Sequence, residues 1–277
     1  MTASRVVTLL TDFGHRDPYV GILKAVFAQV DPQLPVIDLT HAIGPQNIVE
    51  GAFAWAIAVP YIPPGSVHLG VVDPGVGSDR ALIVVEWGGH TFVAPDNGLV
   101  GGVIASDPGA AVVHRLEPSR WGAKVIRPGS STTFHGRDLL APAAAAIASG
   151  VPIADIADPY PKADLRRPWP DPAEEADGRR GVVLLNDHYG NAITNLRHPH
   201  ETDSGAESPA PVEVRIAGGA ARQIPVKSHY AAAEIGEEVA IYGSAGFLEI
   251  AVRDGSAQRR GVVPGVTVWC PHGRTVP

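Results

Sequence analysis

Three side chains of complementary chemistry stand beside turn signals in this sequence. Asp73 ends the apolar run Val67 to Val72 and opens a stretch rich in turn residues, Asp73-Pro74-Gly75-Val76-Gly77-Ser78-Asp79-Arg80. His135 lies in Ser131 to Asp138, STTFHGRD, at the head of an alanine-rich run. An acid, a fixed cation and an imidazole can together orient and polarise a water molecule. A second acid, Asp12, closes the first apolar run in the same way. One acid in a turn is ordinarily solvated. Two acids that each close an apolar strand point to a site, because open α/β sheets bind ligands outside the carboxyl ends of their strands. Taken singly, His135 reads as a helix cap, and Asn191, in Asp187-His188-Tyr189-Gly190-Asn191, reads as a turn residue.

The elements that must position these groups follow from pattern. Arg5 to Thr11 is β-branched and apolar, a buried parallel strand. Asp17-Pro18 starts a helix with proline at its first position, and Tyr19, Ile22, Leu23, Val26, Phe27 and Val30 follow at helical spacing. Val36 to Leu39 is a short strand. Asn47 with Glu50 has capping-box spacing, and the helix it opens ends at Pro60, with Trp55 in its core face. Ala81 to Trp87 and His90 to Ala94 flank Gly88-Gly89 as a hairpin. Asp96-Asn97-Gly98 is a turn or helix cap, Ala111 to His114 a weak strand, and the alanine-rich helix ends at Gly150. Alternating strands and helices predict a layered, largely parallel α/β domain over residues 1–165. A Pro- and acid-rich stretch, 166–180, reads as a linker. Beyond it, Val182 to Leu185, Val212 to Ile216, Val239 to Tyr242, Phe247 to Val252 and Val266 to Trp269 are short strands between turns. They predict an all-β barrel domain over 181–277, with an exposed loop at His198 to Pro211.

Composition narrows the function class. The 277 residues carry a formal net charge of -7, which argues against a nucleic-acid partner. The chain is 45% hydrophobic, enough for two cores. One cysteine, Cys270, permits no intrachain disulfide and fits a reducing cytoplasm. The apolar run near the N-terminus is too short for a signal peptide, and no stretch approaches the ~20 residues of a membrane span. Thr11-Asp12-Phe13-Gly14 is not a kinase motif, since the accompanying Gly-rich loop, strand lysine and catalytic loop are absent. No Walker loop or GxGxxG fingerprint is present. His198, His200, Glu201 and Asp203 offer metal-ligand types, but Pro199 and the polar surroundings read as a solvated turn, and no HExxH or Cys-rich spacing occurs.

Seven stretches carry a family resemblance: TDFGHRDPYVGILKAV, IDLTHAIGPQNI, VHLGVVDPGVGSDR, FVAPDNGLV, TFHGRDLLAPAAA, NDHYGNAITN and YGSAGFLEIAV. With these, the chain resembles the S-adenosylmethionine hydroxide adenosyltransferases, whose sister enzymes are the fluorinase and chlorinase. The resemblance covers nearly the whole chain. It implies an N-terminal α/β domain, a C-terminal β-barrel, and a homotrimer with substrate between one subunit's N-domain and its neighbour's C-domain. The activity implied is hydrolysis of S-adenosyl-L-methionine to adenosine and L-methionine, with Asp73, Arg80 and His135 around the water. The halide-using relatives carry Tyr in place of Asp73 and Ser in place of Gly136. The fluorinase also has a long insertion where Trp87-Gly88-Gly89-His90 stands here. By the same resemblance, Asp12 holds the ribose hydroxyls and Tyr19 lies near the methionine end. Gln46 stands where the fluorinase has a pocket Trp. Asp187 and Ser244 hold the methionine ammonium and carboxylate, Asn191 contacts adenine, and backbone from Val252 to Asp254 faces it. The fluorinase has an Arg where Ala245 stands, so no role passes to that position.

The chemistry suits these residues. A sulfonium leaves without acid catalysis, so the difficulty is the nucleophile. Water's pKa of ~15.7 lies far above that of an aspartate. Asp73 can therefore accept a proton as attack proceeds, with Arg80 and His135 stabilising hydroxide character. Which of the three takes the proton stays open at this point. Holding water in line with ribose C5′ supplies an entropic share. No metal or redox cofactor is required. The alternatives are a halide-using 5′-halo-5′-deoxyadenosine synthase, a non-catalytic binder of S-adenosylmethionine or adenosine, and a metal-dependent hydrolase.

Overall fold

The apolar runs of the first half become strands of one sheet. A computed structural model describes residues 5–105, 107–120, 131–160, 165, 168–198, 211–215 and 220–272. The chain divides into two units between Pro168 and Trp169.

The first unit holds β1 (Val7–Thr11), α1 (Tyr19–Val30), β2 (Val36–Thr40), α2 (Ile48–Ala58), β3 (Val67–Val71), β4 (Leu82–Trp87), β5 (His90–Pro95), α3 (Gly101–Ile104), β6 (Val112–Leu116), α4 (Ala141–Ala148) and β7 (Ala157–Pro159). Its sheet runs β2-β1-β3-β5-β4-β6-β7. β2, β1, β3 and β5 are parallel neighbours, and β4, β6 and β7 join by antiparallel pairing. β6, antiparallel to β4, points the same way as β5, so only β4 and β7 run against the rest. The Gly88-Gly89 hairpin forms with both glycines at positive φ, 57° and 78°, as a two-residue turn between twisted strands demands.

α1 and α4 cover one face of this sheet. Leu23 and Phe27 of α1 pack with Leu9, Leu69, Val71 and the alanines of α4 in one buried cluster. Every residue of α4 is buried. Its alanines add little bulk, so the helix can lie close to the strands. Trp55 of α2 is fully buried and meets Phe92 edge-on at 5.5 Å. It fills the space over Gly70, where a Cβ would fall 2.4 Å from its ring. Trp55 is thus core, as its helical spacing suggested. α1 starts one residue later than expected, with Pro18 itself as N-cap. The capping box is half formed. Asn47 Oδ1 accepts Glu50 N–H at 3.2 Å, but Glu50 Oε2 reaches back to Gly44 N–H at 3.0 Å instead of to Asn47 N–H.

The second unit is an antiparallel, nearly closed β-barrel-like sheet. Its strands are β8 (Ala173–Glu175), β9 (Gly178–Asn186), β10 (Ala192–Arg197), β11 (Val212–Arg215), β12 (Arg222–Ile224), β13 (Glu238–Tyr242), β14 (Phe247–Val252) and β15 (Thr267–Pro271). The order is β12-β11-β15-β9-β10-β14-β13, with β8 beside β9. A bridge from Val226 to Ala240 links the segment after β12 to β13. Val183, Leu196, Val214, Leu248, Ile250 and Val268 point into its core. β8 and the start of β9 lie in the stretch read as a linker. Most of the loop expected at His198 to Pro211 lies outside the described residues, as do His200, Glu201 and Asp203. No helix among the described residues is long and apolar enough to cross a membrane.

Candidate active site

Strand register brings the two acids to one edge. β1 and β3 pair in parallel from Val7 opposite Val67 to Thr11 opposite Val71. Asp12 and Val72-Asp73 therefore leave the sheet side by side, and Asp12 N–H reaches Val71 O at 3.4 Å. Both strands are fully buried, so this register is fixed by the core.

The loop after β3 folds Arg80 back onto Asp73. Val76 N–H bonds Asp73 O at 3.3 Å, and Ser78 N–H bonds Gly75 O at 3.0 Å. Gly77 takes φ 83°, and a Cβ there would sit 2.9 Å from Thr132 O. Glycine thus lets this loop lie against the segment that carries His135. Arg80 grips the Asp73 carboxylate with two donors, Nε to Oδ1 at 2.7 Å and Nη2 to Oδ2. The two side chains are only 5% (Asp73) and 9% (Arg80) exposed. The same Nη2 lies 3.0 Å from His135 Nδ1.

His135 precedes one π-helical turn, Gly136–Leu140, which leads into α4. It stands at the N-cap position, yet its side chain makes no capping bond. The helix-cap reading is therefore corrected: the ring turns to Arg80 instead. Asp138, inside the turn, ties the preceding segment to it: its Oδ2 accepts Ser131 N–H at 2.7 Å. Gly136 holds this turn on β3, where an added Cβ would meet Val71 Cγ1 at 3.1 Å.

This geometry sets the tautomer. A guanidinium carries only donors, so His135 Nδ1 must accept. The ring is then neutral, with its proton on Nε2. Burial first, and the Arg80 cation second, hold its pKa below the usual histidine value, against the opposing pull of Asp73. The cluster is thus a carboxylate with both oxygens held, a shared cation, and a neutral imidazole offering an N–H.

Around it the structure gathers the other expected groups of the first unit. Asp12 Oδ2 accepts Gln46 N–H at 2.8 Å, and Gln46 sits at φ 64°, unusual for a non-glycine residue. Tyr19 joins Phe13 and Phe134 in a triangle of edge-on rings with centroids 5.4–5.8 Å apart. Phe13 and Phe134 escaped sequence reasoning, although each lies close in the chain to a residue that was singled out. The turn reading of Asn97 leaves out a second bond: its Nδ2 donates to Val72 O at 2.8 Å and holds the residue before Asp73.

In the second unit, Asp187 and Asn191 close the β9–β10 turn on each other. Asp187 accepts from Tyr189 N–H at 2.9 Å, Asn191 N–H at 2.8 Å and Asn191 Nδ2 at 2.9 Å. The plain-turn reading of Asn191 thus describes its local bonding. Tyr230 Oη donates to Glu249 Oε2 at 2.8 Å. Burial and the nearby Asp187 push the Glu249 carboxyl up, despite that hydrogen bond. Neither Tyr230 nor Glu249 was singled out from sequence, and an isolated acid on a strand carries no signal. Ser244 is exposed in the turn between β13 and β14. Val252 ends β14, with its carbonyl accepting Gly255 N–H at 3.0 Å. No group of three or more His, Cys, Asp or Glu side chains suited to a metal occurs among the described residues.

The sequence model of the SAM hydroxide adenosyltransferase N-terminal domain matches residues 7–157, and that of the C-terminal domain matches 181–268. The chain is 41% identical to the (R)-S-adenosyl-L-methionine hydrolase of Thermus thermophilus over 257 residues, 92% of this chain and 94% of the relative. It is 23% identical to a fluorinase of Actinoplanes sp. over 274 residues, covering 89% of this chain and 90% of that one. A solved structure of an uncharacterized conserved protein from Thermotoga maritima superposes with a TM-score of 0.84 at 32% identity, covering 95% of this chain and 99% of the other.

Proposed function

This chain belongs to the SAM hydroxide adenosyltransferase family, and we propose that it hydrolyses S-adenosyl-L-methionine through the Asp73–Arg80–His135 cluster. Water attacks ribose C5′, the C5′–S bond breaks, and the products are adenosine, L-methionine and one proton. The observation that carries the reading is the meeting of the Asp73 carboxylate and the His135 imidazole, 62 residues apart in the chain, on the Arg80 guanidinium.

The roles follow from hydrogen-bonding capacity. His135 Nδ1 is committed to Arg80, so the ring presents Nε2–H and cannot take the proton while that contact lasts. Arg80 is a fixed cation. Each Asp73 oxygen keeps a lone pair beyond the one facing Arg80. Asp73 is therefore the acceptor, taking the proton late, as hydroxide character builds. His135 Nε2–H and Arg80 stabilise that developing charge. The buried carboxylate would repel a halide ion, which supports water over halide as nucleophile. Asp12 and Gln46 take the ribose end, Tyr19 the methionine side, and Asp187, Asn191, Ser244 and the Val252 backbone the remaining contacts. The Thermus thermophilus relative is named as a hydrolase of the (R) form, and the same form is proposed as substrate here. The family resemblance further supports a cytoplasmic homotrimer with sites shared between subunits.

Incubation of chelator-treated protein with S-adenosylmethionine in oxygen-18 water without halide tests the reading. Adenosine labelled at the 5′-oxygen, with unlabelled methionine, is expected. Bound substrate that survives would refute it, and a requirement for chloride would favour the synthase. Separated (R) and (S) forms test the epimer. Sedimentation beside activity tests the assembly, where an active monomer would refute the shared site.

A further inference from the structure

His41 is fully buried, and its attachments converge on the loop that carries Asp12. Its ring Nδ1 lies 2.8 Å from Thr11 Oγ1, on the residue before Asp12. Its main-chain oxygen accepts Gly14 N–H at 2.8 Å, two residues after Asp12. Thr11 Oγ1 also accepts Phe13 N–H at 3.2 Å. Ring Nε2 lies within ion-pair reach of Asp38 Oδ1, 3.2 Å away though off the line of a hydrogen bond; that acceptor-only carboxylate favours the proton on Nε2 and leaves Nδ1 to accept the Thr11 hydroxyl, and Asp38 pairs with Lys24 at 2.6 Å. The same segment continues to Gln46, whose N–H holds Asp12 Oδ2. Asp12 is thus gripped before, after and at its carboxylate by the stretch His41 to Gln46.

We propose that His41 is a positioning residue for Asp12, fixing the carboxylate that receives the ribose hydroxyls and so setting selectivity for a ribonucleoside sulfonium. The proposal rests on the reading of Asp12 as the ribose ligand. If His41 only stabilised the fold, its removal would lower activity towards every substrate alike.

The test is kcat/KM on S-adenosylmethionine and on its 2′-deoxy counterpart, for the full chain. A hydrogen bond to a charged group gives the wild type a preference of about 10–100-fold for the ribo substrate. His41→Ala is expected to cut that preference about tenfold, mainly through KM, because small misplacements of a binding group are costly. His41→Asn, whose amide can reach Thr11 as Nδ1 does, should restore most of it. Combined with Asp12→Ala, His41→Ala should change the preference no further. An unaltered preference in His41→Ala, or an equal additional loss in the Asp12→Ala background, would overturn the proposal. Where His41→Ala does not fold, Thr11→Val removes the bridging hydroxyl at nearly constant volume and carries the same expectation. An Asp12→Ala variant that keeps the full preference would instead show that the ribose reading itself fails.

Discussion

Replacing Asp73 by asparagine tests the active-site reasoning most directly. The two side chains match in shape, so the packing is unchanged and only charge and hydrogen-bonding character differ. Wild-type Asp73 gives Arg80 two acceptors, one per oxygen. The substituted amide would offer one acceptor and turn an NH2 towards guanidinium donors. The pair is nearly buried, at 5% and 9% side-chain exposure, so the stranded Arg80 charge has little water to turn to. Breaking such a pair from one side costs about 3–5 kcal/mol of stability. Loss of the proton acceptor should also lower kcat by about 10²–10⁴, equivalent to about 2.7–5.4 kcal/mol in the barrier. Substrate affinity should change much less, because Asp73 is assigned to the water and not to the substrate. Thermal unfolding, single-turnover adenosine release and calorimetric binding of S-adenosylmethionine separate the three quantities. A folded Asp73→Asn protein whose single-turnover rate stays within about tenfold of wild type would refute the assignment of Asp73 as proton acceptor. A variant with intact turnover and lost binding would move Asp73 to the substrate side.

Three further outcomes are expected. His68 is fully buried between Thr8 and His90, and burial pushes its pKa down to about 3. The unfolded chain takes up this proton near pH ~6.5 while the folded one resists, so stability is full above that pH. It should fall by about 1.4 kcal/mol per pH unit as pH drops towards 3. Urea unfolding of the wild type and His68→Asn between about pH 7.5 and 4.5 checks the slope, which should flatten in the variant. Gly70→Ala places a Cβ 2.4 Å from the Trp55 ring and should destabilise by about 1–3 kcal/mol through overpacking, measured as a lower urea midpoint. Asn97→Ala frees Val72 O, one residue before Asp73, and should lower kcat more than it raises KM. Equal effects on both kinetic constants would count against a role in aligning Asp73.

Much of this protein is legible from local pattern. Buried parallel strands announce themselves by unbroken apolar runs, which is why β1 and β3 emerge within two residues of their observed ends. The Gly88-Gly89 hairpin is equally plain, because two glycines at positive φ leave the chain few other courses. β10 escapes pattern reading because Thr194 and Asn195 are polar yet buried, at 0% and 5% exposure. Only the barrel supplies their partners, Leu248 O for Thr194 and Val182 N–H with Pro170 O for Asn195. β8 and the first residues of β9 resemble a linker, since charged and proline residues hide an exposed edge pairing.

The site divides along the same line. Residue types, and the motifs that hold them, point to Asp73, Arg80, His135 and Asp12 without any coordinate. Their meeting is a tertiary matter, decided by the β1–β3 register and by the packing of Gly136 on Val71. The sequence leaves open which of three groups takes the proton. The fold narrows it, because a guanidinium beside Nδ1 leaves histidine no choice of tautomer. Protonation depends on neighbours and burial, and both are properties of the folded chain. Roles such as those of His41 and Asn97 lie further out of reach, because a residue that acts by holding another has no signature in one dimension. Sequence by itself thus determined the longer apolar elements, the family and the reactive residue types. The tertiary structure alone decided which side chains touch, and through them which proton sits where.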